Sequence, residues 1–157
     1  MQTIEAAGMS NKYDFNRVSV IGLGYIGLPT AAVIASWGIE VIGVDVNQAA
    51  VDAINAGKIH IVESDLDIVV RSTVSIGNLR ATTQAEPADV FMVVVPTPFI
   101  NSDDGEHKPN LEFIKSPALA IVPLLEKGNL VILESTSPVG TTEQMANCLA
   151  EARPDLT

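Results

Sequence analysis

Three glycines, Gly22, Gly24 and Gly27, follow directly on the apolar run Arg17–Ile21 and open a helix-like stretch over 25–37. The next apolar run, Glu40–Val44, closes on an acid, Asp45, at the spacing of about 20 residues that a dinucleotide-binding βαβ unit requires. Glycines are common, so the pattern G-x-G-x-x-G alone constrains little. Set between a strand and a helix, with the acid in place, it constrains a great deal.

Each position has a physical task. Gly22 lets the chain turn sharply out of the strand, where a side chain would clash. Gly24 allows a pyrophosphate to approach the backbone, and Gly27 lets the helix lie against the strand. The helix start offers unpaired N–H groups and the positive end of its dipole to the phosphates. Asp45 is placed to accept hydrogen bonds from the adenosine ribose hydroxyls. Its carboxylate repels a 2′-phosphate, and no Arg or Lys occurs among Val46, Asn47, Gln48, Ala49 and Ala50, so NAD is favoured over NADP. The competing reading is a glycine-rich turn in an α/β protein that binds no nucleotide.

The 157 residues suit one domain with a real core, and 47% apolar against 18% charged residues describes a folded chain. A net charge of −10 argues against a nucleic-acid partner and an anionic membrane surface. No apolar stretch reaches membrane-spanning length. The single cysteine, Cys148, excludes an internal disulfide and fits a reducing, cytoplasmic setting. It falls among Met145, Leu149 and Ala150 and reads as a small buried apolar residue rather than a nucleophile. His60 and His107 have no companions at ligand spacing, so no metal site is expected. Residues 1–16 are polar and mixed in charge, without a signal-peptide core, and read as a flexible leader ahead of a domain over 17–157.

The remaining pattern alternates strand and helix. Asn47 is expected to cap a helix over 49–55 that stops at Gly57, and Ser64 to cap another over 65–74. A strand is expected at Leu79–Thr82 and a buried one over 89–95, ended by Pro96-Thr97-Pro98. The stretch 101–109 reads as an exposed polar loop. A helix over 111–126 carries Pro117 and Pro123, which are expected to kink or split it. A fifth strand over 130–134 precedes a last helix that begins near Pro138 and ends near Arg153-Pro154. The expected fold is α/β, a Rossmann-like doubly wound parallel sheet, with ligands bound where the strand order reverses. That crevice gathers Gly22, Gly24, Tyr25, Ile26, Gly27, Thr97 and Ser135-Thr136.

With these motifs in hand, the chain resembles the NAD-binding domain of the UDP-glucose/GDP-mannose dehydrogenase family. The resemblance is carried by GLGYIGLPTA from Gly22, GVDVN from Gly43, VVPTPF from Val94 and ESTSPVGTTE from Glu134. Within the family, that last segment and the stretch 58–66 look most like the branch acting on UDP-N-acetyl-D-mannosamine. The resemblance implies two NAD-dependent oxidations of a nucleotide-sugar C6 alcohol, through an aldehyde captured by a cysteine, to a uronic acid. It implies that Tyr25 and Ile26 meet the pyrophosphate, that Asp45 holds the ribose, and that Thr97 contacts the cofactor. Thr136 is implied to stand near the nicotinamide and the catalytic water. Glu134 reads either as a cleft acid or as a solvated strand end.

Two departures are visible. The basic residue that the family often has a few positions beyond the ribose acid is replaced near Ala50. The family's cysteine motif, and the central helix with its lysine, have no counterpart in these residues. The chain is therefore expected to bind NAD without turning over sugar, as the part of a dehydrogenase that precedes the central helix and C-terminal domain. A non-catalytic, redox-sensing module is the alternative, with a hydroxy-acid dehydrogenase a third. The strand over 130–134, apolar and without proline, is expected to be an open edge that pairs with another copy unless the last helix covers it.

Overall fold

A computed structural model describes residues 15–96, 99–101, 107–109 and 112–156. Strand β1 (Arg17–Ile21) leads through the glycine turn into helix α1 (Gly27–Ser36), then strand β2 (Glu40–Val44) and helices α2 (Gln48–Asn55) and α3 (Leu66–Ser75). Strands β3 (Leu79–Thr82) and β4 (Val90–Val93) follow, then a short hairpin of β5 (Phe99–Asn101) and β6 (His107–Pro109). Helix α4 (Glu112–Ile121), strand β7 (Leu130–Leu133) and helix α5 (Thr141–Ala152) complete the order.

Five strands form one parallel sheet in the order β3-β2-β1-β4-β7, with Ile21 beside Val44 on one side and Val93 on the other. The first crossover runs outward from β1 to β2, and the later one returns to β4, so the order reverses between β1 and β4. Both sheet faces are covered, which is why the central strands are apolar at nearly every position. On one face Val18, Val20 and Val41 pack against Ala31, Ala35, Val51 and Val70 from α1, α2 and α3. On the other, Ile42, Phe91 and Val93 pack against Ile114, Ala118 and Met145 from α4 and α5.

Several local expectations change. Helix α1 begins at Gly27 rather than Tyr25, because residues 22–26 are used by the turn. Helix α3 begins at Leu66 with Asp65 as its N-cap in the left-handed region (φ 63°), and no side chain caps it, so Ser64 does not do so. Asn47 caps α2 as expected, its side chain accepting from the Ala49 N–H at 3.0 Å. Part of the polar loop is ordered as the antiparallel β5–β6 ladder, Asn101 facing His107.

Of the two prolines, Pro123 divides the fourth helix, turning Val122–Leu124 into a 3-10 turn. Pro117 sits inside α4 without ending it. As the sixth of ten residues it removes one main-chain bond from the helix interior. Phe15 packs on the core and the Asn16 N–H donates to Asp89, so two residues of the expected leader are part of the described fold. The rest of the expected leader, and Thr97, lie outside the described residues.

Candidate functional site: the crevice above β1 and β4

The glycine turn is built by close approach. Gly22 has φ 98°, and its N–H donates to the Val44 carbonyl at 2.8 Å, closing the end of β1 onto β2. A Cβ at Gly22 would lie 2.2 Å from the Val94 carbonyl oxygen, and one at Gly27 would lie 1.8 Å from the Gly22 carbonyl oxygen. Neither position accepts a side chain without moving backbone. Between them Leu23 is fully buried and fills the space over Gly43 that a Cβ there would need. Gly24 differs: a Cβ there would meet nothing within 4 Å. Its bareness serves no packing within the protein, and it faces space that a phosphate can enter.

Helix α1 has no side-chain cap at Ile26. The Tyr25 and Ile26 N–H groups donate to no acceptor among the described residues, while both side chains stand about three-fifths exposed, at 60% and 59%. Uncapped N–H groups at a helix start are the usual seat of a phosphate.

Asp45 stands at the other side of the turn, just past β2. One carboxylate oxygen accepts from the Leu23 N–H at 3.0 Å and the other from the Asn47 N–H at 2.9 Å. The acid is thus fixed between the glycine turn and the start of α2, with lone pairs left for a diol. Sequence reading placed Asp45 here but missed Leu23, because the contact is made by its backbone and leaves no residue-type signal. Ala50, near where the resemblance implies an occasional basic residue, is 2% exposed and packed inward.

Across the crevice, Val94 continues β4 with its N–H on the Ile21 carbonyl, and the Ser135 hydroxyl donates to the Val95 carbonyl at 2.8 Å. That bond ties the ends of β4 and β7 together and holds the segment leading to the exposed Thr136. Ser135 carried no individual role in the sequence reading, although it was placed in the crevice with Thr136. Glu134 is half-buried, and one of its carboxylate oxygens is buried with no hydrogen-bond partner, which departs from a solvated strand end.

Cys148 is half-buried rather than buried, in a groove between α4 and α5 that Lys115 also lines. His60 is exposed, and no cluster of metal-ligating side chains occurs among the described residues. Nor is any described helix long and apolar enough to cross a membrane.

The residues present fit NAD: a bare backbone at Gly24, an uncapped helix start, and a fixed acid in reach of the same turn. Fold and crevice together define a dinucleotide-binding domain. The chain belongs to the UDP-glucose/GDP-mannose dehydrogenase family and is its NAD binding domain, matched over residues 16–157. It is 63% identical over 143 residues to UDP-N-acetyl-D-mannosamine dehydrogenase of Campylobacter jejuni, covering 91% of this chain and 34% of that protein. It is 60% identical over 144 residues to NDP-N-acetyl-D-galactosaminuronic acid dehydrogenase of Ralstonia nicotianae, covering 92% and 33%. A solved UDP-D-ManNAc dehydrogenase from Pyrococcus horikoshii superposes with a TM-score of 0.81 at 38% identity, over 88% of this chain and 32% of that one. The chain spans about a third of the length of these relatives.

Proposed function

We propose that this chain is the cofactor-holding part of an NAD-dependent nucleotide-sugar 6-dehydrogenase, with UDP-N-acetyl-D-mannosamine as the substrate oxidised to its uronic acid. The observation that carries the cofactor assignment is the pairing of a bare Gly24 with an Asp45 held at both oxygens. The substrate class rests on relatives of about 60% identity whose names specify N-acetylated sugar nucleotides or their acids.

In this reading the Gly24, Tyr25 and Ile26 backbone receives the pyrophosphate, and Gly22 and Gly27 keep that backbone in place. Asp45 accepts from the ribose hydroxyls. Bound NAD supplies the hydride acceptor, and the protein orients it. Thr97, a few residues after β4 in the sequence, contacts the cofactor. Thr136, beyond the Ser135 tie, stands at the nicotinamide end and positions the catalytic water. The nucleotide sugar itself is bound largely by residues outside this chain. Alone, the chain binds NAD and forms no uronic acid, it works in the cytoplasm, and it forms homo-oligomers.

Calorimetric titration of the chain with NAD and with NADP tests the cofactor half, and tighter binding of NADP would overturn the role of Asp45. An assay of the longer protein with the N-acetylmannosamine and N-acetylgalactosamine nucleotides tests the sugar. Preference for the galactosamine form would replace the substrate and leave the cofactor site standing.

A further inference from the structure

On the α1 face of the sheet one residue from each strand forms a row: Ala81, Gly43, Val20, Met92 and Ile132. Gly43 alone among them has no side chain, which leaves a gap in the row. Its flanks do not close that gap. Val20 is fully buried, and Ala81 is pinned from the far side by Asn55. The Ala81 N–H donates to Asn55 Oδ1 at 2.8 Å, and Asn55 Nδ2 donates to the Ala81 carbonyl at 2.9 Å.

Leu23 from the glycine turn fills it. A Cβ added at Gly43 would lie 2.8 Å from each Leu23 methyl and 3.3 Å from its Cγ. Carbon atoms rest at about 3.5–4.0 Å, so a single methyl at position 43 displaces Leu23 from its seat. The displacement reaches the site because the same residue holds the acid, its N–H donating to Asp45 Oδ2 at 3.0 Å. Gly22 beside it donates to the Val44 carbonyl at 2.8 Å. Residues 22–23 are thus fastened to residues 43–45 at three points, and only the side-chain point depends on residue size.

We propose that the seat of Leu23 on Gly43 sets the direction of the Asp45 carboxylate, and with it recognition of the adenosine 2′-hydroxyl. Gly43 is a positioning residue, buried in the sheet and acting through Leu23. The proposal rests on the cofactor reading above and names what aims its ribose acid. The Asn47 N–H holds the other Asp45 oxygen at 2.9 Å. A displaced Leu23 therefore turns the carboxylate about that remaining bond instead of releasing it.

Magnitudes then separate two tasks of the same acid. A hydrogen bond weakens steeply with misalignment, whereas Coulomb repulsion falls only as the inverse of distance. A shift of about 1 Å ends the first and barely changes the second. Gly43→Ala therefore removes recognition of the 2′-hydroxyl and keeps rejection of a 2′-phosphate.

The test titrates the 157-residue chain calorimetrically with NAD, with the NAD analogue lacking the adenosine 2′-hydroxyl, and with NADP. Hydrogen exchange of the Leu23 amide is followed without ligand. The unaltered chain should bind NAD about tenfold more tightly than the deoxy analogue. In Gly43→Ala that ratio should fall to within about twofold of parity, with the Leu23 amide exchanging at least about tenfold faster and NADP still the weakest ligand. Leu23→Val loosens the seat from the other side and should also narrow the ratio. The double variant Gly43→Ala/Leu23→Val keeps the number of carbons and should restore both ratio and protection. A purely structural glycine would weaken NAD and the deoxy analogue together, and a ratio that stays at its original value in Gly43→Ala would overturn the proposal. An unaltered chain that binds the two alike would instead overturn the role of Asp45 on which the proposal rests. Where Gly43→Ala fails to fold, Leu23→Val decides, and an unchanged ratio there sinks the seat.

Discussion

At the amino ends of the strands Arg17 meets Glu40 at 2.9 Å, Arg80 holds Glu86 through two bonds of 2.6 and 2.7 Å, and Asp89 accepts the Asn16 and Arg17 N–H groups. At the carboxyl ends of the same strands, the turn after β1 leaves the Tyr25 and Ile26 N–H groups open and Gly24 bare. One end of the sheet turns these charged groups onto partners within the protein, and the other holds two N–H groups in reserve. The difference teaches where to look for stability and where for binding. Substitutions at the amino ends should move the melting temperature and spare the cofactor, while those at the carboxyl ends divide according to whether they touch packing or the reserved groups.

The largest expected effect is from Gly27→Ala. Its Cβ collides with the Gly22 carbonyl, so we expect a loss of about 3 kcal/mol, read as a fall of about 10 °C in melting temperature, together with loss of NAD binding. Gly24→Ala sharpens the comparison, because space is open there. Stability should hold within about 0.5 kcal/mol by thermal melting, while calorimetric NAD affinity falls about tenfold or more. Loss of stability at Gly24 matching that at Gly27 would break the distinction between packed and reserved glycines. Asp45→Asn should weaken NAD about tenfold by the same titration and narrow its advantage over NADP, since the charge that repels a 2′-phosphate is gone.

The amino end supplies the smaller effects. Asp89→Ala removes the acceptor of two main-chain N–H groups and should cost about 1 kcal/mol in denaturant unfolding, with NAD affinity unchanged. Those N–H groups, Asn16's first, hold the Asp89 carboxyl below the usual carboxylate range, and the Arg80 hydrogen bonds do the same for Glu86. Both acids therefore stabilise the fold above their unfolded titration near pH 4, and the contribution disappears as pH falls through their lower folded values. Acid unfolding of the Asp89→Ala variant should depend less steeply on pH in that window. Smallest of all is Arg80→Gln. Arg80 and Glu86 are 42% and 39% exposed, so the pair is worth under about 1 kcal/mol, and 1 M salt should erase the difference between variant and parent.

Much of this could be read from residue types. The strand order follows from alternating strands and helices with right-handed crossovers, and the glycines and Asp45 announce the crevice because each is required for shape or charge. What escaped reading was made by backbone or by small polar groups in context. The Leu23 N–H fixes Asp45, the Val94 carbonyl is what forbids a side chain at Gly22, and Ser135 ties two strand ends. None of these roles calls for an unusual residue. The true start of α3 was hidden because Ser64 and Asp65 are equally good capping residues by type, while the chain enters through a left-handed Asp65. The β5–β6 ladder was hidden by the polarity of β6, His107-Lys108-Pro109, since paired main chains can form where side chains suggest only solvent.

Asn55 has a consequence for how variation in this chain is interpreted. It is exposed, and by accessibility alone it belongs with positions free to drift. Yet it needs one donor and one acceptor at the reach of a short amide: aspartate lacks the donor, and glutamine is a methylene too long. The position therefore tolerates few replacements despite its wet surroundings. A substitution there leaves the core intact and frees the Ala81 N–H and carbonyl, which Asn55 holds at 2.8 and 2.9 Å, so that the β3 border of the sheet lies open to another strand.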